Sequence, residues 1–386
     1  MQNIEEIHRQ FPITLNRFFL NHASQSPLPR PVADEVKSFI DADSSYGIAS
    51  SAWKSTSESR FSNGKTLFAK LINADIEEIA LVENTSMGLN IVTNLFDLQK
   101  RSKVVTTDLE YPSVVYPWLS KKYVKVEYVK SINGKILPED MENAVSDETI
   151  AVVVSHVEYA NGFKNDLKVL AEIAHEHGAY LVVDAMQSAG AIQLNVKRDD
   201  VDFLTTGCYK WLLAPAGAAY LYVKDELIKK FEPMFVGWAS VKREVLGTVD
   251  LYDIRHLKFA DSASRFEIGY SSLISYVGAH AAIKMLFDFG IENVQRRILR
   301  TTDRLIGELE DRGLSLQTPT ERREYRSGIV NFKVDNPREL TEALRKKGIV
   351  VSARGNGIRV SPHYYNTKEE IDEFVDQVCS LMSHSR

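Results

Sequence analysis

A single lysine interrupts an otherwise uncharged stretch of this sequence. The segment from residue 205 to residue 223 reads TTGCYKWLLAPAGAAYLYV, and Lys210 is its only charged residue. Lysine is strongly hydrated and is rarely buried without a partner. Desolvation favours the neutral amine, which is the nucleophilic form. We therefore treat Lys210 as a candidate reactive amine rather than as a solvated surface charge.

A carboxylate stands in a comparable place 26 positions earlier. Asp184 ends the apolar run YLVVD, and Gln187 follows it three residues later. A carboxylate there costs desolvation energy unless a cation or a strong donor accompanies it. Asp184 is equally well explained as the cap of the following turn, and with Lys210 it would form an ordinary ion pair. If the two strands are parallel, however, their ends meet at one sheet edge and are candidates for flanking a cofactor.

Three other segments carry groups that bind anions or stack on rings. In ENTSMGLN, which opens a helical pattern, Thr85, Ser86 and the free backbone N–H groups would cradle a phosphate. LEYPSVVYPW also follows a strand pattern and supplies Tyr111, and GIRVSP places Arg359 in mid-strand, where a guanidinium needs an anionic partner. Considered singly, a capped helix start and a packed aromatic ring are the more ordinary explanations.

Considered together, these groups meet the needs of one cofactor. Pyridoxal phosphate takes a lysine for its Schiff base, an acid for its pyridine nitrogen, a phosphate cup, an aromatic ring and an arginine for the substrate carboxylate. Motifs for other cofactors are incomplete in this sequence. SRFSNGKT resembles a P-loop but has Ser59 in place of the first glycine. GNGIRV lacks the context of a dinucleotide site, which disfavours a nicotinamide-dependent dehydrogenase. The sequence has no HExxH motif and no Cys/His cluster, and we expect no metal.

The order of the predicted elements indicates an α/β fold. Short β-branched runs alternate with helical patterns, which is typical of a mostly parallel sheet with helices on both faces. A helix is expected to end at Gly178, a long helical stretch to run over 276–313, and a last helix to begin at Thr367, with Glu370 at capping-box spacing. The predicted strands cover residues 78–82, 103–108, 124–129, 150–157, 179–185, 202–207 and 218–223.

The C-terminal part reads as a smaller α+β domain. We expect a large cofactor-binding domain over 16–260 and a small α+β domain over 261–386, which is joined by residues 1–15. This organisation suits a chain of 386 residues, which is too long for one small core.

Composition narrows the class of protein. The chain is 44% hydrophobic and 26% charged with a net charge of −5, and it has no basic stripe, which argues against a nucleic-acid binder. Two cysteines without a CxxC pair, Cys208 and Cys379, indicate a reducing compartment. The first residues lack the apolar core of a secretory signal, and no stretch approaches the ~20 apolar residues of a membrane span. We expect a cytoplasmic protein without a membrane or nucleic-acid partner.

From FFLNHASQSPLPRPV to IRVSPHYYNTKEEID, the sequence resembles the class V aminotransferase group of fold-type I pyridoxal phosphate enzymes. This group includes cysteine desulfurases, isopenicillin N epimerase-like proteins and kynureninases. The resemblance implies pyridoxal 5′-phosphate as cofactor and a homodimer with the site near the subunit interface. It also implies that Lys210 in CYKWLLAPAG forms the Schiff base, that Asp184 in VVDAMQSAG bonds the pyridine nitrogen, and that Gln187 reaches the phenolic oxygen of the ring.

The same resemblance implies the remaining roles. Thr85 and Ser86 in ENTSMG match the phosphate cup, and Tyr111 in EYPSVVYPW falls where a histidine or an aromatic residue stacks on the ring. Arg359 matches the arginine that clamps the substrate carboxylate. Asn21, in the N-terminal motif FFLNHASQ, is expected to contact the substrate as well.

Departures from the family pattern concern the surroundings of the ring. Tyr209 precedes the lysine where many members have histidine, as in kynureninases, and is expected to contact the phosphate. Gly207 stands where a hydroxyl residue is frequent, and the cup must therefore be completed by another group. In HVEYANG, either Tyr159 or Asn161 takes the place of an asparagine near the ring.

Two further departures concern the partner subunit and the reaction. EIGYSSL replaces the common GTP turn, leaving Tyr270 or Ser271 to touch the phosphate of the neighbouring subunit. SARGNG contains no thiol where desulfurases carry their reactive cysteine, so that persulfide transfer by that route is not expected.

The resemblance implies an enzyme that acts on an amino acid through a Lys210 Schiff base and a carbanion intermediate. Lys210 would remove or relay the α-proton, and Asp184 would keep the pyridine nitrogen protonated. A class V aminotransferase is the first expectation. The alternatives are a carbon–sulfur or kynureninase-like lyase and an epimerase. A non-catalytic pyridoxal-dependent protein is disfavoured by the complete set of Lys210, Asp184 and Arg359.

Overall fold

A seven-stranded sheet forms the centre of the molecule. The computed structural model describes residues 4–47, 51–242, 254–269 and 271–384, and no side chain is described for 51–61 and 384. Elements are numbered in chain order. The central sheet contains β2 (Ile79–Val82), β3 (Lys103–Thr107), β4 (Lys125–Val129), β5 (Thr149–Ser155), β6 (Tyr180–Asp184), β7 (Phe203–Gly207) and β8 (Ala219–Val223). Each of the strands predicted from the sequence is present, which confirms that part of the α/β expectation.

Strand directions match the predicted, mostly parallel arrangement. The order across the sheet is β2–β8–β7–β6–β5–β3–β4. β3 is parallel to β4 and β5, and β6 is parallel to β5 and β7, whereas β8 is antiparallel to β7 and β2. Because β8 reverses, β2 runs in the same direction as β7. The carboxyl ends of β2, β3, β5, β6 and β7 therefore lie along one edge of the sheet, here called the carboxyl edge.

Helices cover both faces of this sheet. Leu89 and Trp118 pack with Val153 of β5 on one face, and Leu170 packs with Val152 on the other. A strand that is covered on both sides reads as a continuous apolar run, which explains why β5 and β7 are buried throughout. The helices before β9 are α1 (Ile4–Arg9), α2 (Arg30–Tyr46), α3 (Ser51–Ile72), α4 (Thr85–Thr93), α5 (Pro112–Leu119), α6 (Pro138–Ala144), α7 (Leu167–Glu176), α8 (Asp225–Ile228), α9 (Leu273–Phe289) and α10 (Ile291–Asp311).

The C-terminal region forms a second, smaller sheet. Strands β9 (Val330–Lys333), β11 (Ser352–Arg354) and β12 (Gly357–Val360) form an antiparallel sheet in the order β11–β12–β9. Strand β1 (Phe18–Phe19) pairs in parallel with β10 (Ile349–Val350). The accompanying helices are α11 (Pro337–Lys346) and α12 (Lys368–His384).

Helix ends in this protein follow the signals in the sequence, with one difference. Gly178 follows α7 with a φ of 61°, as expected of a C-terminal glycine. Thr367 N donates to Glu370 Oε2 at 2.9 Å and Glu370 N donates to Thr367 Oγ1 at 3.3 Å, which confirms the capping box. The long helical stretch predicted over 276–313 is instead two helices, because Gly290 has a φ of 92° and ends α9.

Elements on one side of the predicted domain boundary pack against elements on the other side. β1 lies before residue 260 and pairs with the C-terminal β10, while α9 lies after it and packs against α2 and α3. The division at residues 260 and 261 stays a prediction, since the chain on each side contributes to the packing of the other.

Gly162 lies at the closest approach between the segment after β5 and the C-terminal region. Its φ is 77°, and a Cβ atom there would lie 2.3 Å from the carbonyl oxygen of Ile329. Its carbonyl accepts a hydrogen bond from Ser327 Oγ at 2.7 Å. Both the left-handed backbone and the lack of space therefore require glycine.

Gly162→Ala is expected to lower the free energy of unfolding by about 2–5 kcal/mol, because conformational strain and overpacking add. Gly313→Ala is the matched control: its φ is 71° but nothing lies within 4 Å of the added atom. The control is expected to lose only the strain contribution, about 1–2 kcal/mol. Urea unfolding followed by circular dichroism compares them, and equal losses would contradict a close approach at Gly162.

Candidate active site

Polar side chains from five strand ends gather in one cleft at the carboxyl edge. Parallel strands bring the residues that follow them to the same edge of a sheet, and ligands bind there in open α/β folds. The seven residues expected to contact the cofactor of their own subunit are among those that line the cleft. The lining residues are Asn84, Thr85, Ser86, Tyr111, Ser113, Ser155, Tyr159, Asp184, Met186, Gln187, Tyr209 and Lys210.

Asp184 ends β6 at the centre of this edge. In the sheet register it pairs with Ser155 on β5 and with Thr205 on β7. Its Oδ1 accepts a hydrogen bond from the backbone N–H of Met186 at 2.7 Å. Burial raises the pKa of Asp184 to about 6, while the Met186 N–H and the charge of Lys210 act in the opposite direction. Asp184 is therefore mostly a carboxylate at neutral pH.

Lys210 follows β7 and lies beside this carboxylate. Desolvation lowers the pKa of Lys210 to about 8, although Asp184 counteracts the decrease. Its Nζ lies 5.8 Å from the ring centre of Tyr111 and 6.0 Å from that of Tyr209. Within the described part of the chain no hydrogen bond or salt bridge reaches Nζ. The amine is thus partly neutral near pH 7 and has no partner of its own in the cleft.

A strained turn holds the backbone of Lys210. Leu213 N donates to Lys210 O at 3.0 Å, and Ala214 N donates to Cys208 O at 3.0 Å. Leu213 has a φ of 60°, which costs a non-glycine residue about 1–2 kcal/mol. The fully buried side chains of Trp211 and Leu213 offset this cost by packing in the core. The turn therefore fixes where Lys210 leaves the sheet.

The first turn of α4 forms one end of the cleft. Asn84 caps it, since its Oδ1 accepts from Met87 N at 2.9 Å. Thr85 and Ser86 follow, and Ser86 Oγ donates to Ser113 Oγ at 2.9 Å. The N–H groups and the helix dipole at such an end suit an anion. Ser113, which the sequence did not single out, adds a hydroxyl at this end, whereas Gly207 has none.

Two tyrosines form another wall of the cleft. The rings of Tyr111 and Tyr159 meet edge to face with centres 5.2 Å apart. Asn161, the alternative to Tyr159 in the sequence, is used elsewhere: its Nδ2 donates to Gly134 O at 2.7 Å, and its Oδ1 accepts from Phe163 N at 3.0 Å. Of the two candidates, Tyr159 is the one that lines the cleft.

Arg359 lies on β12 with only 1% of its surface exposed. Its Nη1 donates to the backbone carbonyl of Tyr159 at 2.8 Å and its Nη2 donates to Ser24 Oγ at 2.7 Å. Ser24 Oγ in turn donates to Asn21 Oδ1 at 2.9 Å, which links the two predicted substrate residues. Burial, and then the nearby Arg354, lower the pKa of Arg359 to about 9. No described carboxylate pairs with this guanidinium.

Gln187 and Tyr209 connect the cleft to the N-terminal segment. Gln187 Nε2 donates to Ala23 O at 3.0 Å, and its Oε1 accepts from Trp211 Nε1 at 3.0 Å. The backbone carbonyl of Tyr209 accepts from Ser26 N at 2.9 Å. The first two bonds fix the side chain of Gln187 and leave one of its N–H groups available, and the third fixes the backbone of Tyr209.

A pair of acids behind Asp184 was not predicted from the sequence. Glu110 accepts from Ser155 N at 2.5 Å and from Ser155 Oγ at 2.7 Å, and Glu158 accepts from Asn165 Nδ2 at 3.0 Å. Desolvation raises the pKa of Glu110 to about 8, and burial raises the pKa of Glu158 as well. Both acids directly follow a strand pattern, which is the signal that reveals Asp184.

The remaining sequence predictions lie outside the cleft or outside the described residues. Tyr270 is not among the described residues, and Ser271 precedes α9. The thiol-free SARGNG segment forms the β11–β12 hairpin. Cys379 packs with the apolar core of the C-terminal region, and Cys208 is fully buried.

Among the described residues, no three or more His, Cys, Asp and Glu side chains come together as ligands for a metal ion. Nor, over those same ranges, does any helix combine the length and the apolar character that crossing a bilayer requires.

Known proteins resemble this chain over nearly its whole length. The sequence profile of the family described as Aminotransferase class-V matches residues 18–374. An uncharacterized aminotransferase of Bacillus subtilis (strain 168) is 32% identical over 385 residues, with 100% of both chains covered. The kynureninase of Bacillus thuringiensis subsp. konkukian (strain 97-27) is 28% identical, covering 95% of this chain and 89% of the relative.

Solved structures agree with the sequence comparison. The apo structure of a cysteine desulfurase from Thermococcus onnurineus NA1 matches with a TM-score of 0.88 at 25% identity, covering 100% of this chain and 99% of that one. The chain therefore belongs to the class V aminotransferase family of pyridoxal phosphate-dependent enzymes and has the architecture of fold type I.

Proposed function

We propose that the protein is an aminotransferase that acts on an amino acid and that Lys210 is its reactive residue. The observation that carries this proposal is the desolvated amine of Lys210. The pKa of this amine is lowered to about 8, it lies beside the Asp184 carboxylate, and it has no hydrogen-bond partner among the described residues. A lysine in this state is suited to reaction with an aldehyde.

The cleft fits pyridoxal phosphate from one end to the other. Asp184 would bond the ring nitrogen, and Lys210 would bond the aldehyde carbon. Thr85 and Ser86, with the N–H groups of α4, would hold the phosphate, and Ser113 Oγ adds a hydroxyl 2.9 Å from Ser86 Oγ. The residues that line this end of the cleft, Asn84, Thr85, Ser86 and Ser113, carry no negative charge that would repel the phosphate.

The other lining residues would orient the ring. Tyr111 is 46% exposed at the mouth of the cleft, with its ring free to stack on the cofactor. Gln187 has one amide hydrogen left for the phenolic oxygen. Tyr209, directly before Lys210, would donate its hydroxyl hydrogen to the phosphate.

Bound pyridoxal phosphate supplies an aldehyde that joins to amines and a ring that draws electron density from the substrate α-carbon. Asp184, ionised above a pH of about 6, favours a protonated ring nitrogen. Lys210 Nζ is partly neutral near pH 7, and in this form it can accept the proton from the substrate α-carbon. Arg359 binds the α-carboxylate, and the Ser24–Asn21 hydrogen bond orients this guanidinium.

One observation favours transamination, and a second argues against persulfide transfer. The relative of 32% identity is named an aminotransferase. Persulfide transfer needs an accessible thiol, but Cys208 is fully buried and burial raises the pKa of its thiol far above the usual range. A lyase is the second candidate, because Tyr209 stands before the lysine as in kynureninases and a kynureninase is 28% identical to this chain.

The proposal includes a cytoplasmic homodimer. Both cysteines are unpaired, which suits a reducing compartment. Several large apolar side chains are exposed on the segments that lead toward α9, and a second copy of the chain would cover them: Met234, Phe235, Val236, Trp238, Ile254, Leu257 and Ile268.

Lys210→Ala is expected to abolish the near-visible absorption band that the protein acquires when it is reconstituted with pyridoxal phosphate, because Lys210 is the amine, among the described residues, whose charge acts on Asp184. Lys164→Ala is the control, since desolvation lowers the pKa of this lysine too but it lies outside the cleft. The control should keep the band. A wild-type protein without the band, or a Lys210→Ala protein that retains it, would show the proposal to be wrong.

The capture of pyridoxal phosphate by the cofactor-free protein should accelerate with pH and level off above a pH of about 8, since only the neutral amine of Lys210 reacts. The rise between pH 6.5 and 9 is expected to be about 30-fold. Stopped-flow absorbance measures the rate, and the reaction of the cofactor with N-acetyl-lysine corrects for titration of the cofactor itself. Asp184→Asn should move the midpoint to lower pH, because that carboxylate raises the pKa of Lys210. A rate that still climbs tenfold between pH 9 and 10 would contradict a lowered pKa.

A transaminase is expected to need an acceptor. Without one, the reconstituted protein should form at most about one keto acid per subunit, and added pyruvate or 2-oxoglutarate should restore turnover. Keto acid and ammonia are assayed after addition of single amino acids, with Lys210→Ala as the inactive control. Continuous release of ammonia without an acceptor would support the lyase instead.

A further inference from the structure

We propose that Arg354 is a second anion-binding residue of this site and that the substrate is an amino acid with a carboxylate in its side chain. This inference rests on the proposed function and names its class of substrate. The evidence lies in the β11–β12 hairpin, in the charges around the cleft and in two polar atoms that lack partners.

The hairpin puts Arg354 and Arg359 on one face. Ser352 on β11 pairs with Arg359 on β12, and Arg354 pairs with Gly357. Side chains alternate between faces, so residues two apart on each strand point the same way. Arg354 and Arg359 are therefore diagonal neighbours, and residues in such a position have Cα atoms about 7–8 Å apart. Both side chains therefore leave the small sheet on the face on which Arg359 donates to the Tyr159 carbonyl.

The end of the hairpin that carries Arg354 is fastened to the rim of the cleft. Asn331 Nδ2 donates to Ala160 O at 2.8 Å and to Arg354 O at 3.4 Å. Ala160 directly follows Tyr159, which lines the cleft. A Cβ atom on Gly357 would lie 2.3 Å from Asn331 Oδ1, and only glycine allows this approach opposite Arg354. The backbone of Arg354 therefore cannot move far from the site.

The guanidinium of Arg354 has no anionic partner in the described part of the chain. Its Nη1 donates to the backbone carbonyl of Ala353 at 2.8 Å, and no described carboxylate pairs with it. Arginines on the outer helices behave differently: Arg304 forms two 2.6 Å bonds to Asp372, and Arg345 bonds Glu342. Arg354 is only partly buried, so that its guanidinium can be reached by a ligand, and a carboxylate is the acceptor that matches its fork.

Three cations and one largely ionised carboxylate of the protein act on one another around the cleft. Lys210, Arg359 and Arg354 influence one another electrostatically, and the positive charges of both arginines help to lower the pKa of Lys210. Against them stands Asp184, while Glu110 and Glu158 behind it have raised pKa values and tend to be neutral. Asp184 counterbalances the ring nitrogen, and the substrate α-carboxylate meets Arg359. The cofactor phosphate adds negative charge of its own, but Arg354 has no carboxylate partner among the described residues, and a carboxylate in the substrate side chain would provide one.

Two buried polar atoms on the same face also lack partners. Arg359 Nε and Ser352 Oγ make no hydrogen bond, although both atoms are inaccessible to solvent. A buried donor without an acceptor is costly and marks a position that a ligand or an ordered water fills. Carboxylate oxygens are acceptors that match a guanidinium fork, and a dicarboxylic substrate brings enough of them for both arginines. Aspartate and glutamate are the amino acids of this class.

The test compares each acid with its amide, which has nearly the same shape but no charge. With reconstituted holoenzyme, we expect kcat/KM for aspartate or glutamate to exceed that for asparagine or glutamine by on the order of 10- to 100-fold. Arg354→Gln should remove this preference mainly through KM and leave the amides within about twofold. Arg338→Gln, an exposed arginine on α11, makes the same charge change and should leave the preference intact.

A binding measurement gives a second readout that does not depend on turnover. Calorimetry on the reconstituted holoenzyme should detect tighter binding of glutarate than of butyrate, and Arg354→Gln should cancel the difference. Should that variant fail to fold, Arg354→Lys, which keeps the charge but not the fork, is expected to weaken glutarate binding partially. Equal kcat/KM values for acid and amide in the wild-type protein would overturn the inference without any variant, and unchanged glutarate binding in Arg354→Lys would count against the assignment to Arg354.

The outcomes separate this inference from the proposed function. A holoenzyme that converts amino acids but treats acids and amides alike overturns the role of Arg354 and leaves the aminotransferase intact. A protein that forms no lysine-bound cofactor overturns the proposed function. Preference for the acids that persists in Arg354→Gln would mean that another group reads the second charge, and the assignment to Arg354 would then be wrong.

Discussion

The shared direction of β5, β6 and β7 is the constraint on which the site depends. Because these strands are parallel and in register, Ser155, Asp184 and Thr205 stand side by side at one edge. The chain can then turn after β7 and present Lys210 next to the Asp184 carboxylate. A single antiparallel strand in the middle would have sent one of these groups to the opposite edge. The reversed strand β8 causes no such separation, since it contributes no residue to the lining of the cleft.

The acids at this edge of the sheet differ in how readily they ionise. Three acids, Glu110, Glu158 and Asp184, lie close enough to influence one another, and like charges in a desolvated region cannot all be ionised. Burial raises the pKa of all three acids. The pKa of Asp184 rises only to about 6, since the Met186 N–H and the charge of Lys210 favour its charged form, whereas the pKa of Glu110 rises to about 8. The two acids behind it tend to hold their protons. The negative charge is thereby kept where Lys210 lies.

Packing between the two sheets completes the site. Arg359 comes from the small sheet, yet its hydrogen bonds go to Tyr159, after β5, and to Ser24, near the N-terminus. Gly162 and Asn331 bring the same small sheet against the segment after β5. The site thus joins chain segments that are 335 positions apart in the case of Arg359 and Ser24. Such a site is sensitive to any shift between the two sheets, even one that leaves each sheet intact.

The sequence by itself determined the strands, the parallel sheet and the residues at strand ends, because apolar runs, helix caps and polar interruptions are local signals. It therefore singled out Lys210, Asp184, Thr85 and Tyr111. It did not separate Tyr159 from Asn161, because the direction in which each side chain leaves the backbone is not a local signal. Nor did it indicate Ser113, Glu110 or the pairing of Arg354 with Gly357. Those features depend on desolvation and on distances between remote segments, and only the tertiary structure decides them.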